Sequence, residues 1–250
     1  MSLWDDLLIT LPDGDVLQVQ IGLHWTAVVV ELEGKRACGL SSTLSAVHDH
    51  HGEPDVPKAG HLEDLPVSEL AALVRSIKSS MVSVGMAAIN ALLPHQLKAW
   101  VDQNAEELIA RHGAGKRVAL VGHFPFVPRL RTQVGELIVL ENNPNAGDLP
   151  ASAALDIIPS AEVVAITGMT LLNNTFEDIL ALCKSQSQII VLGPSTPLSP
   201  ILFDYGVKWL CGSVVTDIDP VIRAVGQGAN FRQVHRAGVC LVCMSRGGFA

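Results

Sequence analysis

The sequence predicts an α/β protein in which a smaller α+β domain precedes a larger domain built on a parallel sheet. Three observations support this prediction: strand-like runs near the start of the chain, helical segments after them, and a second half in which apolar strands alternate with short helices. Continuous Val, Ile and Leu strands joined by helices are typical of a parallel sheet covered on both faces. We place the domains at residues 1–114 and 115–250.

The first domain is expected to combine an antiparallel meander with helices. Glu33-Gly34 is a hairpin turn signal between two of its strands. The strands are expected at 16–21, 25–32 and 36–41. The helices are expected at 66–77, 80–93 and 103–112. The second of these helices is apolar on most sides, so we expect it to be buried.

The second domain is expected to be Rossmann-like, because strands and helices alternate with short connections and such crossovers are right-handed. Its strands are expected at 118–122, 137–141, 163–167, 189–193, 209–213 and 239–244. Its helices are expected at 152–158, 174–184, 200–205 and 220–225. Open parallel sheets bind ligands beyond the carboxyl ends of their strands, where the strand order reverses.

The composition excludes several classes of protein. A mean hydropathy of +0.35 with 17% charged residues excludes a disordered chain. Acidic residues outnumber basic ones by 25 to 17, and the net charge of −8 argues against nucleic acid or an anionic membrane as a partner. No apolar run reaches the roughly 18 residues of a membrane span. We expect a cytoplasmic protein, since Asp5 and Asp6 stand where a signal peptide needs positive charge. The apolar composition also favours a homo-oligomer.

The five cysteines are odd in number and scattered, a pattern typical of a reducing compartment. Cys240 and Cys243 have the spacing of a ligand pair, but they fall in a predicted strand, where positions three apart face opposite sides. We therefore interpret them as packing residues, together with Cys38, Cys183 and Cys211.

Small and polar residues gather at the predicted carboxyl ends of four strands. His123, Glu141, Thr170, Asn173 and Ser195 are the candidate ligand-binding residues of this group. We expect His123 and Glu141 to be the main anchors, with Thr170 and Ser195 as orienting hydroxyls. Local alternatives stay open for each residue. Ser195 or Thr196 could cap the next helix, and a residue within 173–175 could cap its own. His123 could be a hydrogen-bonded core residue, and Glu141 a solvated carboxylate at the end of a strand.

The spacing of Glu141 bears on the choice of cofactor. It lies 19 residues after Gly122, close to the spacing at which dinucleotide folds place the acid that binds ribose. The glycine fingerprint is absent, and Pro125 removes an N–H that would cradle phosphate. These features argue against NAD and leave open a nucleoside-type cofactor such as S-adenosylmethionine.

Two other features are candidates for the site. Asn90 is a polar residue in an otherwise apolar helix, so we expect it to pair across the domain cleft or with a loop. A long polar loop holds four of the nine histidines, namely His48, His50, His51 and His61. Imidazoles beside carboxylates suit a divalent transition metal, although such a loop can also bind metal weakly or be merely solvated. His123 is the alternative metal ligand.

The motifs at the strand ends resemble the heavy-metal chelation domain family. The resemblance covers about residues 114–250. It rests on Gly122-His123-Phe124-Pro125, Glu141-x-x-Pro144-x-x-Gly147-Asp148-x-Pro150, Thr167-Gly168-x-Thr170-x-x-Asn173-x-Thr175 and Gly193-Pro194-Ser195-x-Pro197. The preceding segment resembles that family's N-terminal partner, which has an enolase-N-terminal-like fold, most clearly at 84–91. The histidine-rich loop is outside the family pattern.

The resemblance implies a two-domain protein with a site in the cleft between the domains. It implies that the site binds a metal ion or a small metal-chelating molecule, for metal handling or metal-cofactor metabolism. Two alternatives stay open: a transferase-like enzyme that uses a nucleoside-type cofactor, and a non-catalytic sensor or assembly module.

Overall fold

A computed structural model describes residues 2–44, 52–93, 100 and 104–246. The chain forms two compact units. The first comprises Met1–His95, Pro197–Ser199 and Ser213–Leu241. The second comprises Gln96–Thr196, Pro200–Gly212 and Val242–Ala250. Among the described residues, no helix combines the length and apolar character that crossing a bilayer requires.

The first unit begins with a short helix, α1 (Leu3–Leu8), which the sequence analysis did not predict. Ser2 and Asp5 form a capping box at its start, since each side chain accepts a hydrogen bond from the other residue's backbone N–H. The predicted meander is confirmed as an antiparallel sheet in the order β1-β2-β3. Its strands are β1 (Asp15–Ile21), β2 (Trp25–Leu32) and β3 (Lys35–Ser42).

The helix α3 (Ser79–Leu92) packs on this sheet, and α2 (Val67–Ala72), which continues as a 3-10 turn, packs on α3. As predicted, α3 is buried along nearly its whole length, and it packs against β2 and β3. The helix α3 lies close to the backbone of β3 and to that of the 3-10 turn, because a glycine stands at each contact. A Cβ on Gly39 would lie 2.2 Å from the Ala87 carbonyl oxygen, and one on Gly85 would lie 2.1 Å from the Val74 nitrogen.

The larger sheet has seven strands in the described part of the chain, in the order β10-β9-β8-β7-β4-β5-β6. The pairs recorded among β4 to β9 are parallel, which confirms the predicted class of fold. The strands are β4 (Arg117–Val121), β5 (Glu136–Glu141), β6 (Leu149–Pro150), β7 (Val163–Thr167), β8 (Gln188–Leu192), β9 (Trp209–Val215) and β10 (Val239–Ser245).

Short helices connect these strands and cover the sheet. They are α4 (Ala105–Gly113), α5 (Val127–Leu130), α6 (Ala154–Ile157), α7 (Met169–Leu172), α8 (Phe176–Leu182) and α9 (Ile201–Asp204). The core of the second unit contains fully buried Leu120, Val139, Ala165 and Ile190 from four adjacent strands. Glu106 of α4 is buried and pairs with Arg129 of α5 through two hydrogen bonds of 2.9 and 2.6 Å, which ties these helices together.

The helices α10 (Ile218–Gly226) and α11 (Phe231–Gly238) belong to the first unit. They pack on each other, and α10 also packs on β1 and β2. The sequence analysis did not predict α11, although Asn230 and Gln233 form a capping box at its start. Trp25 of β2 lies 5.5 Å from Phe231 between ring centroids, within the same hydrophobic core.

The interpretation of the cysteines needs one correction. Cys211 and Cys243 are buried, as expected of packing residues, but they are joined by a disulfide within the second unit. They are 32 residues apart in sequence and lie on adjacent strands, β9 and β10. The expectation of packing cysteines rested on their spacing along the chain, which does not show which strands are neighbours.

Candidate functional site

The strand order reverses at β4, because the chain runs from β4 to β5 and β6 on one side and then returns to β7 on the other. A pocket of about 450 Å³ lies within the second unit at the carboxyl ends of β4, β5 and β7. This is the position at which open α/β sheets bind ligands. Among the polar residues that line the pocket are His123, Glu141, Asn142, Thr167, Thr170 and Asn173.

Glu141 connects the ends of β4 and β5. One carboxylate oxygen accepts a hydrogen bond from the His123 backbone N–H at 2.9 Å, and the other accepts from the Asn142 N–H at 2.7 Å. Gly122 precedes this contact with φ of +101°, a conformation that favours glycine. Glu141 therefore fixes the backbone on which His123 is mounted, a role that the two sequence-based interpretations of this residue did not include.

The His123 ring is held by a second carboxylate. Its Nδ1 lies 2.7 Å from Oδ2 of Asp148, whose side chain is 1% exposed, whereas the His123 side chain is 31% exposed. The same Oδ2 accepts a hydrogen bond from the Asn145 N–H at 3.0 Å. Asp148 belongs to one of the strand-end motifs but was not among the predicted site residues. The signal was its place in the Gly147-Asp148 turn just beyond β5.

Thr170 and Asn173 line the pocket and also make local bonds. Thr170 Oγ1 donates to the Thr167 carbonyl at 2.7 Å. Asn173 Oδ1 accepts from the Thr175 hydroxyl at 2.7 Å and from its N–H at 3.3 Å. The alternative of a side-chain cap at 173–175 is wrong for α8, because Thr175 stands at the N-cap position without a capping side-chain bond.

Ser195 and Asn90 are not among the residues that line this pocket. Ser195 is buried and lies in the segment that connects β8 to α9. Capping of α9 by Ser195 or Thr196 is wrong, because the helix begins later, with Pro200 at its N-cap position. Asn90 of α3 donates through Nδ2 to the Leu40 carbonyl at 2.8 Å. Leu40 belongs to the strand β3, whereas the local alternative for Asn90 was a hydrogen bond to a loop. Ligand contact by Ser195 or Asn90 stays a prediction.

Three of the loop histidines, His48, His50 and His51, lie outside the described residues. His61 is described: its Nδ1 lies 3.0 Å from Asp64 Oδ2, and both side chains are about three-quarters exposed. Within the described ranges, no three His, Cys, Asp or Glu side chains gather in a group that could hold a metal ion. Metal binding by the loop therefore stays a prediction.

Both parts of the chain match families with the same description. Residues 104–242 match the DUF364 family and residues 4–93 match the DUF4213 family, each described as "Putative heavy-metal chelation". The chain belongs to the DUF364 family. The resemblance seen in the strand-end motifs is thereby confirmed.

Two solved structures of DUF364 family proteins share the fold, and one further protein is similar in sequence. A crystal structure of a protein with unknown function from Desulfitobacterium hafniense is 26% identical, with a TM-score of 0.83 over 97% of both chains. A second, from Pyrococcus horikoshii, is 22% identical, with a TM-score of 0.79 over 97% of this chain and 98% of that one. An uncharacterized protein of Methanocaldococcus jannaschii is 27% identical over 218 residues, which are 84% of this chain and 82% of that protein.

Proposed function

We propose that the protein binds a metal ion carried by a small organic chelator, for metal handling or metal-cofactor metabolism. The observation that supports this proposal is His123, an imidazole that lines the strand-end pocket while a buried carboxylate holds its Nδ1. Metal-binding histidines in proteins almost always use their second nitrogen in this way. The description of the family agrees with this chemistry.

The wall of the pocket favours an organic partner for the metal. Apolar side chains from several elements line it, and a bare hydrated ion gains nothing from such a surface. A cavity of about 450 Å³ falls in the range of about 300–1,000 Å³ that small-molecule sites occupy. The apolar lining includes Val121, Phe124, Leu140, Met169 and Ile179.

The charges around the pocket favour a neutral or cationic complex. Glu141 is an acidic side chain of the lining, and the Asp148 carboxylate lies against His123. A phosphorylated or polycarboxylate chelator would meet like charge, which disfavours association. The proposed ligand is therefore a metal complex of a nitrogen-donor or otherwise uncharged chelator.

Isothermal titration calorimetry of untagged protein tests this proposal. Three probes distinguish a bare ion, a cationic complex and an anionic complex as the ligand. They are Ni²⁺ alone, the 1:1 complex of Ni²⁺ with 2,2′-bipyridine, and Ni²⁺–citrate. The starting protein is the triple variant His48→Ala, His50→Ala, His51→Ala, so that the loop does not contribute. We expect the bipyridine complex to bind one equivalent and citrate to bind weakly or not at all.

The matched variants for this titration are His123→Ala and His61→Ala, because both histidines pair with an aspartate through Nδ1. Loss of the metal's protein ligand should weaken binding by about tenfold or more in His123→Ala. His61→Ala should bind as the starting protein does. Equal binding by the His123→Ala variant would contradict the proposal.

A nucleoside-type cofactor such as S-adenosylmethionine is the second candidate. Glu141 lies at the end of β5 and lines the pocket, where Rossmann-like folds place the acid that binds ribose. Each of its oxygens already accepts a backbone hydrogen bond, so ribose would have to use the remaining lone pairs. Thermal stabilisation by S-adenosylmethionine or adenosine that is lost in Glu141→Gln would favour this candidate.

A further inference from the structure

We infer that Asp148 is a positioning residue that keeps His123 in the Nδ1–H tautomer and so directs the Nε2 lone pair to the ligand. The tautomer of His123 is set by this chain's own residues and needs no bound ligand. Its consequence for binding rests on the proposed function.

The contact between the two side chains requires a hydrogen on His123. An ionised carboxylate only accepts hydrogen bonds, so the 2.7 Å contact places the proton on Nδ1. Oδ2 also accepts from the Asn145 N–H at 3.0 Å, and Oδ1 lies 3.8 Å from the Arg131 guanidinium. The Asn145 N–H is a donor and Arg131 is a cation, so both neighbours suit carboxylate oxygens that accept.

The carboxylate is also held in place. Arg131 donates to the Gly147 carbonyl at 3.1 Å and to the Leu137 carbonyl at 3.2 Å, which ties the turn before Asp148 to β5. The Asp148 N–H donates to the Asn145 carbonyl at 3.0 Å and closes this turn. With its side chain 1% exposed, Asp148 has little freedom to move away from the ring.

The consequence concerns the second ring nitrogen. A neutral imidazole carries one N–H and one lone pair, and only the lone pair binds a metal. With the proton on Nδ1, the lone pair is on Nε2. Free histidine prefers the opposite tautomer, so without Asp148 the Nε2–H form would predominate and binding through Nε2 would first require loss of that proton.

Nitrogen-15 NMR of the histidine rings tests the inference without any ligand. Spectra are recorded at several pH values, because the nitrogen-15 shifts themselves distinguish the two neutral tautomers from the charged ring. The His123→Ala spectrum identifies the His123 signals. We expect Nδ1–H in the wild type, a shift towards Nε2–H in Asp148→Ala, and retention of Nδ1–H in Asp148→Asn, whose amide oxygen can still accept.

The control is Asp64→Ala, which removes the carboxylate from the exposed His61 pair and should leave the His123 signals unchanged. An Nε2–H tautomer at His123 in the wild type would overturn the inference. So would an unchanged tautomer in an Asp148→Ala protein that remains folded by circular dichroism.

Binding of the Ni²⁺–bipyridine complex separates this inference from the proposed function. Asp148→Ala should weaken binding by roughly 10–100-fold, the usual effect of losing the carboxylate behind a metal-binding histidine. The Asp148→Asn variant should retain most of the wild-type affinity for the complex. If the tautomer shifts as expected but the wild type does not bind the complex, the positioning role stands and the proposed function fails.

Discussion

At the scale of single residues, sequence position predicted where the polar groups lie but not how they contact each other. His123 and Glu141 were selected because they follow or end buried strands, and both line the strand-end pocket. Asp148 was not selected, because its contact with His123 spans 25 residues and depends on how the chain folds back after β5. Strand patterns predict positions along a sheet edge, whereas side-chain pairs depend on loop geometry.

A residue-scale prediction concerns His112, in the last turn of α4. Burial lowers its pKa, and the nearby cations Arg111 and Lys116 lower it further. The unfolded chain therefore binds more protons than the folded protein between the folded pKa and about 6.5. Folding stability should fall as the pH drops below about 6.5, because this histidine resists charging in the folded state.

The measurement is urea unfolding at pH 7.5 and 5.5. The His112→Gln variant should lose less stability on acidification than the wild type. His61→Gln, which replaces an exposed histidine, serves as the control and should follow the wild type. An acid-induced loss that is unchanged in His112→Gln would contradict the prediction.

At the scale of elements, most strands were predicted to within one or two residues because their apolar runs are continuous. The helices α1 and α11 were missed, although both begin with a capping box that was visible in the sequence. Both are short, at 6 and 8 residues, so hydrophobic periodicity over so few turns is a weak signal. Local capping residues predict short helices better than periodicity does.

An element-scale prediction concerns the close packing of α3. Gly85 faces the backbone of the preceding 3-10 turn, so Gly85→Ala forces a methyl group to within 2.1 Å of the Val74 nitrogen. We expect a loss of about 1–3 kcal/mol in unfolding free energy, or more if the backbone cannot adjust. Gly226→Ala in α10 is the matched control, because its Cβ would meet only the end of the Gln20 side chain, at 3.3 Å.

Chemical denaturation of both variants measures this difference. Gly226→Ala should change stability by less than about 1 kcal/mol, since replacing a helical glycine by alanine is otherwise mildly favourable. Equal stability of the Gly85→Ala variant and the wild type would contradict the described contact between α3 and the 3-10 turn.

At the scale of the whole molecule, the α/β class and the family were correctly predicted from strand–helix alternation and motif order. The disulfide between β9 and β10 was not, because spacing along the chain does not show which residues of two neighbouring strands face each other. The domain boundary after residue 114, the enolase-N-terminal-like fold of the first domain and a site between the domains stay predictions.

A whole-molecule prediction follows from the state of the five cysteines. Without reductant, the exposed Cys240 should react first with a thiol reagent, and Cys183 more slowly, since burial raises its pKa to about 11. Cys38 should react only on unfolding, since burial raises its pKa to about 12. Mass spectrometry should count three labels in denatured, unreduced protein and five after reduction. Five labels before reduction would contradict the disulfide.

The central claim is that His123 binds the metal of a small chelate in the strand-end pocket. The most direct measurement is a crystal of the untagged protein with the Ni²⁺–bipyridine complex, examined by anomalous scattering at the nickel edge. We predict one strong peak about 2 Å from His123 Nε2, with the chelator against the apolar wall of the pocket. A peak confined to other histidines, with none at His123, would contradict it.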